Sequence, residues 1–270
     1  MCAMEERELP MYRINDVDFF VEVSKARLRE VGNPGNTISF IHNMTYNGNH
    51  YVLYYDPRLK NVADSIFDDG VAVVSLPMMS ALDPDGMAQH YNRPMERVVG
   101  CADYDVMVDP QQMLKRTVLN ELPVIMVLDH PFVVDIENDL YQPKHDIRTM
   151  GIYISRMRDD ADDQQEFYHI LYDPEQHRRI PVDWFAMTAI PEGLVVLELP
   201  HERVADPVGY AQKYNLDQRK LTMEFPPKAV HHARVIPWEQ TQIPKVILAN
   251  QKKERQQQKK RIRKKGKGLN

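Results

Sequence analysis

Short runs of β-branched and aromatic residues, each closed by a turn signal, set the pattern of this chain. Phe19–Val23, Ile38–Met44 and Tyr51–Tyr55 read as strands. Tyr46-Asn-Gly-Asn49 joins the second to the third as a hairpin, because Asn-Gly accepts the left-handed backbone of a tight turn. Asp68-Asp-Gly70 separates Ala63–Phe67 from Val71–Leu76, and Pro191-Glu-Gly193 separates Trp184–Ile190 from Leu194–Leu199, again as strands around turns. Asp83-Pro84 and Asp206-Pro207 mark helix starts: Asp caps well, and Pro fits a first turn whose N–H groups are unpaired anyway. Asn92 and Asn215 suit the helix ends. Asp109–Leu119 reads as a capped amphipathic helix with Met113, Leu114, Val118 and Leu119 on one face. Beyond it, Leu221–Phe225 reads as an edge strand and Ile243–Asn250 as the start of a helix entering the C-terminal tail.

These elements recur in order. Leu82-Asp-Pro-Asp-Gly-Met-Ala-Gln-His-Tyr-Asn92 returns as Ala205-Asp-Pro-Val-Gly-Tyr-Ala-Gln-Lys-Tyr-Asn215. Upstream, Val74–Pro77 matches Leu197–Pro200, Tyr51–Pro57 matches Tyr168–Pro174, Phe40–Met44 matches Tyr153–Met157, and Leu9-Pro10 matches Leu122-Pro123. An ordered series of this kind predicts a duplicated domain, residues 9–92 and 122–215.

Composition narrows the class. With 43% apolar and 27% charged residues, the 270-residue chain has the proportions of a folded globular protein. At this length folding buries roughly 70–75% of the unfolded surface, enough for a core without staples. Cys2 and Cys101 are too few for a disulfide framework and form no metal-type pair, so a reducing, cytoplasmic compartment is expected. Apolar runs such as Val71–Val74 fall far short of the roughly 18 residues of a membrane span. No charged start followed by an apolar stretch opens the chain, which argues against secretion.

Charge is split more sharply than the net value of −5 suggests. Residues 251–270 hold ten Lys/Arg and only Glu254 as an acid, a net of +9. The other 250 residues hold 24 bases against 38 acids, a net of −14. An acidic body with a basic end points to an interaction tail.

Catalytic chemistry finds little support. Gly-x-Ser-x-Gly, His-Glu-x-x-His, Cys-x-x-Cys and P-loop patterns are all absent from the sequence. Gly32-Asn-Pro-Gly-Asn36 lacks the Lys-Ser/Thr that holds phosphate and magnesium, and reads as a turn. His231-His232 is the best metal or acid–base candidate, but neighbours on a strand point to opposite faces and rarely share an ion. His42/His50 and His169/His177 share a spacing without holding equivalent places in the two copies. Asp159–Glu166 lacks the glycine and late glutamate of a calcium loop and reads as a solvated loop. Cys101 has no neighbour arranged to activate it. Of the repeated residues, Asp83 and Asp206 cap, Gly86 and Gly209 let the helix approach the sheet, Tyr91 and Tyr214 bury a ring, and Asp56-Pro57 and Asp173-Pro174 end a strand. A ligand reading of the repeats rests on Gln89, Gln212, Asn92 and Asn215.

The sequence therefore predicts an α+β protein. Its plan is two duplicated, strand-rich antiparallel meander domains, small and barrel-like, each closed by a short helix, with a linker helix and a basic C-terminal tail. The expected divisions are a first repeat at 1–100, a linker at 101–121, a second repeat at 122–220, an extension at 221–250 and the tail at 251–270. The expected function is a non-enzymatic interaction or assembly protein that meets nucleic acid or a nucleoprotein particle through Lys252, Lys253, Arg255, Lys259, Lys260, Arg261, Arg263, Lys264, Lys265 and Lys267. Protein partners are also expected. No cofactor, metal or catalytic residue is assigned. Two alternatives stand beside it: a hydrolase-like enzyme with its site between the repeats, and a protein-binding adaptor without nucleic acid.

Overall fold

The structure is a computed structural model that describes residues 7–146, 150–181, 183 and 185–266, the last seven by backbone alone. It is a mixed helix-and-strand protein built on antiparallel sheets. Contacts divide it into two units, Met1–Leu119 with Asn215–Pro227, and Asn120–Tyr214 with Lys228–Asn270.

In the first unit β1 (Met11–Ile14), β2 (Val17–Glu22), β3 (Arg27–Glu30) and β4 (Thr37–Ser39) form an antiparallel meander in chain order. Alternation sends Phe19, Val21, Leu28 and Ile38 into the core while their neighbours face outward. A second sheet centres on β6 (His50–Asp56): β5 (Thr45–Tyr46) and β7 (Asn61–Val62) share one of its edges, and β8 (Ala72–Pro77) pairs along the other. Helices α1 (Met79–Leu82), α2 (Pro84–His90), α3 (Asp103–Met107) and α4 (Pro110–Thr117) follow. Met79, Met87, Val106 and Met107 join Phe19, Leu53, Tyr55 and Leu76 in a single core.

The second unit repeats this order. β9 (Val124–Val127), β10 (His130–Asp135), β11 (Leu140–Pro143) and β12 (Ile152–Tyr153) form the meander, and β13 (Phe167–Asp173) pairs with β14 (Arg178–Ile180) and β15 (Val195–Pro200). Then come α5 (Glu202–Ala205) and α6 (Pro207–Tyr214). The chain next returns to the first unit with α7 (Gln218–Glu224). Its last elements belong to the second: β16 (Val230–His232) adds a parallel strand beside β9, β17 (Arg234–Ile236) an antiparallel one beside β15, and α8 spans Ile243–Gly266.

Strand registers correspond between the units. Met11 faces Phe20 as Val124 faces Val133, and Phe19 faces Glu30 as Phe132 faces Pro143. His50 faces Pro77 as Phe167 faces Pro200. Asp83 Oδ1 accepts the Gly86 N–H at 2.9 Å, and Asp206 Oδ1 accepts that of Gly209 at 3.0 Å. The backbone carries the same correspondence where it turns left-handed. Twelve of the fifteen described residues with positive φ fall into six pairs: Asn15/Leu128, Ala26/Asp139, Gly48/Gln165, Lys60/His177, Gly70/Gly193 and Asn92/Asn215. Left-handed backbone costs an L-residue roughly 1–2 kcal/mol, so its recurrence at places occupied by Leu, Ala and Gln follows the fold rather than residue preference.

Several expectations need correction. Each unit has two sheets in place of a single barrel-like meander, because β1 and β3 and their counterparts escape the apolar pattern. Ala63–Phe67 is not a strand: Ser65 and Asp68 turn the chain by bonding its own N–H groups, Ser65 Oγ to Phe67 and Asp68 Oδ2 to Ser65. Trp184 lies outside the described residues, and Phe185–Ile190 holds no strand, since Asp183 Oδ1 accepts from Phe185 and Ala186. Leu221–Phe225 is not an edge strand but falls in α7, where Asp217 caps the helix at Lys220 N and Leu221, Thr222 and Met223 are buried. Tyr153 takes the ladder place of Ser39, one residue off the match to Phe40. Gly86 is needed less for the sheet than for its own cap, because a Cβ there would strike the Asp83 carboxylate and Arg7. Tyr91 is half-buried, whereas Tyr214 is 41% exposed.

Candidate nucleic-acid interface

Among the described residues the basic tail, from Gln251 to Gly266, is the outer part of α8. Thr241 Oγ1 accepts the Ile243 N–H at the helix start. Ile243 and Ile247, one turn apart, are buried against Leu171 and Val196, with Ile180, Met187, Leu194, Ile236 and Trp238 around them. Asn250 Nδ2 donates to the Met187 carbonyl at 2.9 Å, and Gln251 Nε2 to that of Thr188 at 2.8 Å. The helix is thus moored through its first two turns. From Gln251 to Gly266 it runs on for about 22 Å at 1.5 Å per residue.

Lys252, Lys253, Arg255 and Lys259 are all exposed. Ile243, Ile247, Asn250 and Glu254 share one stripe of the helix, so Lys252 and Lys259 fall on the opposite face, while Arg255 flanks the mooring one turn beyond Gln251. Lys260, Arg261, Arg263, Lys264 and Lys265 lie on the continuing helix backbone, and Lys267 falls outside the described residues. Arg255/Lys259, Lys259/Arg263, Lys260/Lys264 and Arg261/Lys265 are like charges four residues apart, each opposing the helix by a few tenths of a kcal/mol. The negative helix end offsets part of that repulsion. A polyanion would offset the rest.

The buried titratable groups serve the fold. Tyr51 donates to Asp103 Oδ2 at 2.9 Å, and the same carboxylate accepts the N–H groups of Met79 and Ser80, each at 2.8 Å. Asp103 therefore fastens α1 to α3. In the second unit Tyr168, at the place of Tyr51, donates to Glu202 on α5. The His201 ring stacks on Tyr168 at 4.6 Å, and its Nδ1 accepts from Arg203 N at 3.2 Å. Burial pushes His201 down to about 4, so the ring is neutral and its nearby Glu202 oxygen is not an ion-pair partner. Burial raises the Glu202 carboxyl. The adjacent pair splits as a strand requires: His231 is buried and held at about 4 by desolvation, while His232 is exposed. His231 Nε2 is a buried atom without a hydrogen-bond partner.

His42 lies 3.4 Å from Glu224 and His169 3.5 Å from Glu198, whereas His177 stacks on His130 at 3.4 Å. The candidate histidines are thus not gathered. Among the described residues no three His, Cys, Asp or Glu side chains are placed to hold a metal. In the acidic stretch, Asp160 is buried in a pair with Arg179 at 2.6 Å, and Asp162 Oδ1 accepts from Glu166 and Phe167 to shape the turn. That stretch is less solvated than expected. Gln89 and Asn92 sit at one helix end, with Asn92 N donating to the Gln89 carbonyl.

The first unit holds a cleft of about 240 Å³ that sequence reasoning missed, below the usual range for small-molecule sites. Phe40, Met44, Tyr46, Tyr51 and Met223 line it, and Arg219 of α7 lies over the rings of Tyr46 and Tyr104 at 5.1 and 4.3 Å. Its signal was hidden because α7 reads as a strand. No helix among the described residues is long and apolar enough to cross a membrane. Comparison with protein-family models, with curated proteins and with solved structures finds no match.

Proposed function

We propose that this protein associates with nucleic acid or a nucleoprotein particle through α8, and that its body is a duplicated fold that holds this helix. The reading rests above all on one observation: α8 is moored by Ile243, Ile247, Asn250 and Gln251 and then carries Lys252, Lys253, Arg255 and Lys259 exposed to solvent. Phosphate contact releases condensed counterions, which favours concentrated charge. The body's net −14 repels phosphate at long range, so affinity belongs to the helix. Matching registers and six paired left-handed positions support duplication of the body. Assembly with protein partners, in a reducing cytoplasm, completes the reading.

Titration of RNA and DNA oligonucleotides against salt tests it. Each engaged base adds roughly 0.7–0.9 to the slope, so five or six give about −4 to −5. Sequence preference is slight, because the contacts are to backbone. A chain ending at Gln251 loses binding while keeping its melting midpoint. Retained binding moves the site into the body, and a salt-independent affinity refutes the electrostatic origin.

A further inference from the structure

The second sheet of each unit has an outer face and a far edge. In the second unit one segment covers both. β17 pairs with the edge of β15, setting Ile236 opposite Val196 and Arg234 opposite Glu198. Ile243 and Ile247 then close over Leu171 and Val196, each 2% exposed.

Tyr54 and Val73 hold the corresponding places in the first unit, opposite one another across β6 and β8 as Leu171 and Val196 are across β13 and β15. Yet Tyr54 is 37% and Val73 69% exposed. Among the described residues no strand pairs with the outer edge of β8, although the Tyr12 hydroxyl reaches its Ser75 carbonyl at 3.5 Å. The loop from β7 to β8 adds exposed Ile66 and Phe67, the latter 89% exposed, together with the exposed acids Asp64, Asp68 and Asp69. An open strand edge beside an apolar face is a template for an added strand, and soluble proteins rarely leave one bare without a use.

We propose that the β8 edge and the Tyr54–Val73 face dock a partner protein's segment built like this chain's own Arg234–Gln251: a short strand, a proline turn and a helix with apolar residues four apart. The strand supplies main-chain hydrogen bonds, and the helix buries Tyr54 and Val73. The three acids favour a helix bearing Lys or Arg and set its direction.

The probe is a synthetic peptide of residues 233–255, titrated into the full-length protein, whose second unit already carries its own copy of that segment. Saturable binding is expected, weakened roughly tenfold or more by Val73→Asp, since a charge would be buried without a partner. Because Val73 is exposed, the variant should melt like the parent. If it does not, the triple variant Asp64→Asn, Asp68→Asn, Asp69→Asn serves instead, and should weaken binding and flatten its salt dependence. No binding, or binding untouched by both variants, overturns the proposal. Self-association in sedimentation that Val73→Asp abolishes, without peptide binding, assigns the face to a second copy and overturns it too.

Discussion

Tyr51 and Tyr168 occupy equivalent places, each buried and each donating its hydroxyl to a carboxylate, but the carboxylates come from different parts of the chain. In the first unit the acceptor is Asp103, brought from α3 and satisfied by two further backbone N–H groups. In the second it is Glu202 on α5 itself, crowded by His201 and raised by burial. The outer faces diverge in the same way: Leu171 and Val196 lie under α8, whereas Tyr54 and Val73 meet solvent. Two units with matching strand registers thus carry two different electrostatic cores and two different surfaces.

The largest expected effect lies in the covering helix. A chain ending at Gln242 loses the burial of Ile243 and Ile247, at about 2–5 kcal/mol for each large apolar side chain lost from a core, a large share of a domain's stability. A chain ending at Gln251 keeps its midpoint. Val196→Ala should cost about 2 kcal/mol, while Val73→Ala at the matching place stays within about 0.5. Denaturant unfolding of the four variants checks this. Equal costs at Val73 and Val196 would break the comparison.

Next comes acid sensitivity of the second unit. His201 and His231 titrate at about 4 in the fold against a usual 6.5, so the unfolded chain takes the proton first as pH falls. Their contribution is whole above about 6.5 and is lost between there and about 4, on the order of 3 kcal/mol each. Glu202 opposes them: with its pKa raised by burial, the fold keeps the proton longer, so its contribution is present at low pH and lost as pH rises. Unfolding curves at stepped pH should show stability falling toward pH 4, and His201→Gln with His231→Gln should flatten the slope. An unchanged slope would contradict the buried, neutral state of both rings.

A smaller effect separates the two tyrosines. Tyr51→Phe leaves Asp103 its two N–H donors and should cost about 1 kcal/mol. Tyr168→Phe removes the side-chain donor to a buried carboxyl and should cost about 1–3 kcal/mol, with Glu202 taking up its proton at still higher pH. Equal costs, with no change in pH dependence, would mean that the carboxylates are equivalent after all.

What the sequence made legible was mostly turn chemistry. Gly48 of the Asn-Gly pair, the Asp-Pro helix starts, Gly70 and Gly193, and the asparagines at 92 and 215 fall where their side chains or φ preferences require. The anchored start of α8 was legible too, as an apolar stretch entering a basic run. Long-range packing was not. Asp103 looked like part of a linker, and nothing local marks it as the partner of Tyr51. α7 carries the apolar run of a strand, and only the cap from Asp217 and burial on the first unit make it a helix. α4 ends at Thr117, short of the expected Leu119, and Leu114 on it is 53% exposed while Val118 and Leu119 just beyond it are 67% and 56% exposed, so an amphipathic pattern alone did not locate the core.

The smallest effect tests the shared backbone directly. Gly48 and Gln165 both have left-handed backbone, with φ of 74° and 54°, and so do Asn15 and Leu128 at 51° and 53°. Glycine adopts this region without a Cβ penalty, whereas Gln and Leu pay for it. Glycine also gives up more freedom on folding, so the net gain from a substitution is less than the full penalty. Gln165→Gly and Leu128→Gly should therefore each stabilise by about 0.5–1 kcal/mol, although glycine in ordinary positions destabilises. Gly48→Ala, the reverse change at the matching place, should cost about 1 kcal/mol despite open space around it, since the strain is in φ rather than in contacts. Denaturant midpoints measured at constant m-value resolve differences of this size. If Gln165→Gly and Leu128→Gly destabilise, those turns are not left-handed in solution. The backbone correspondence between the units then loses two of its six pairs.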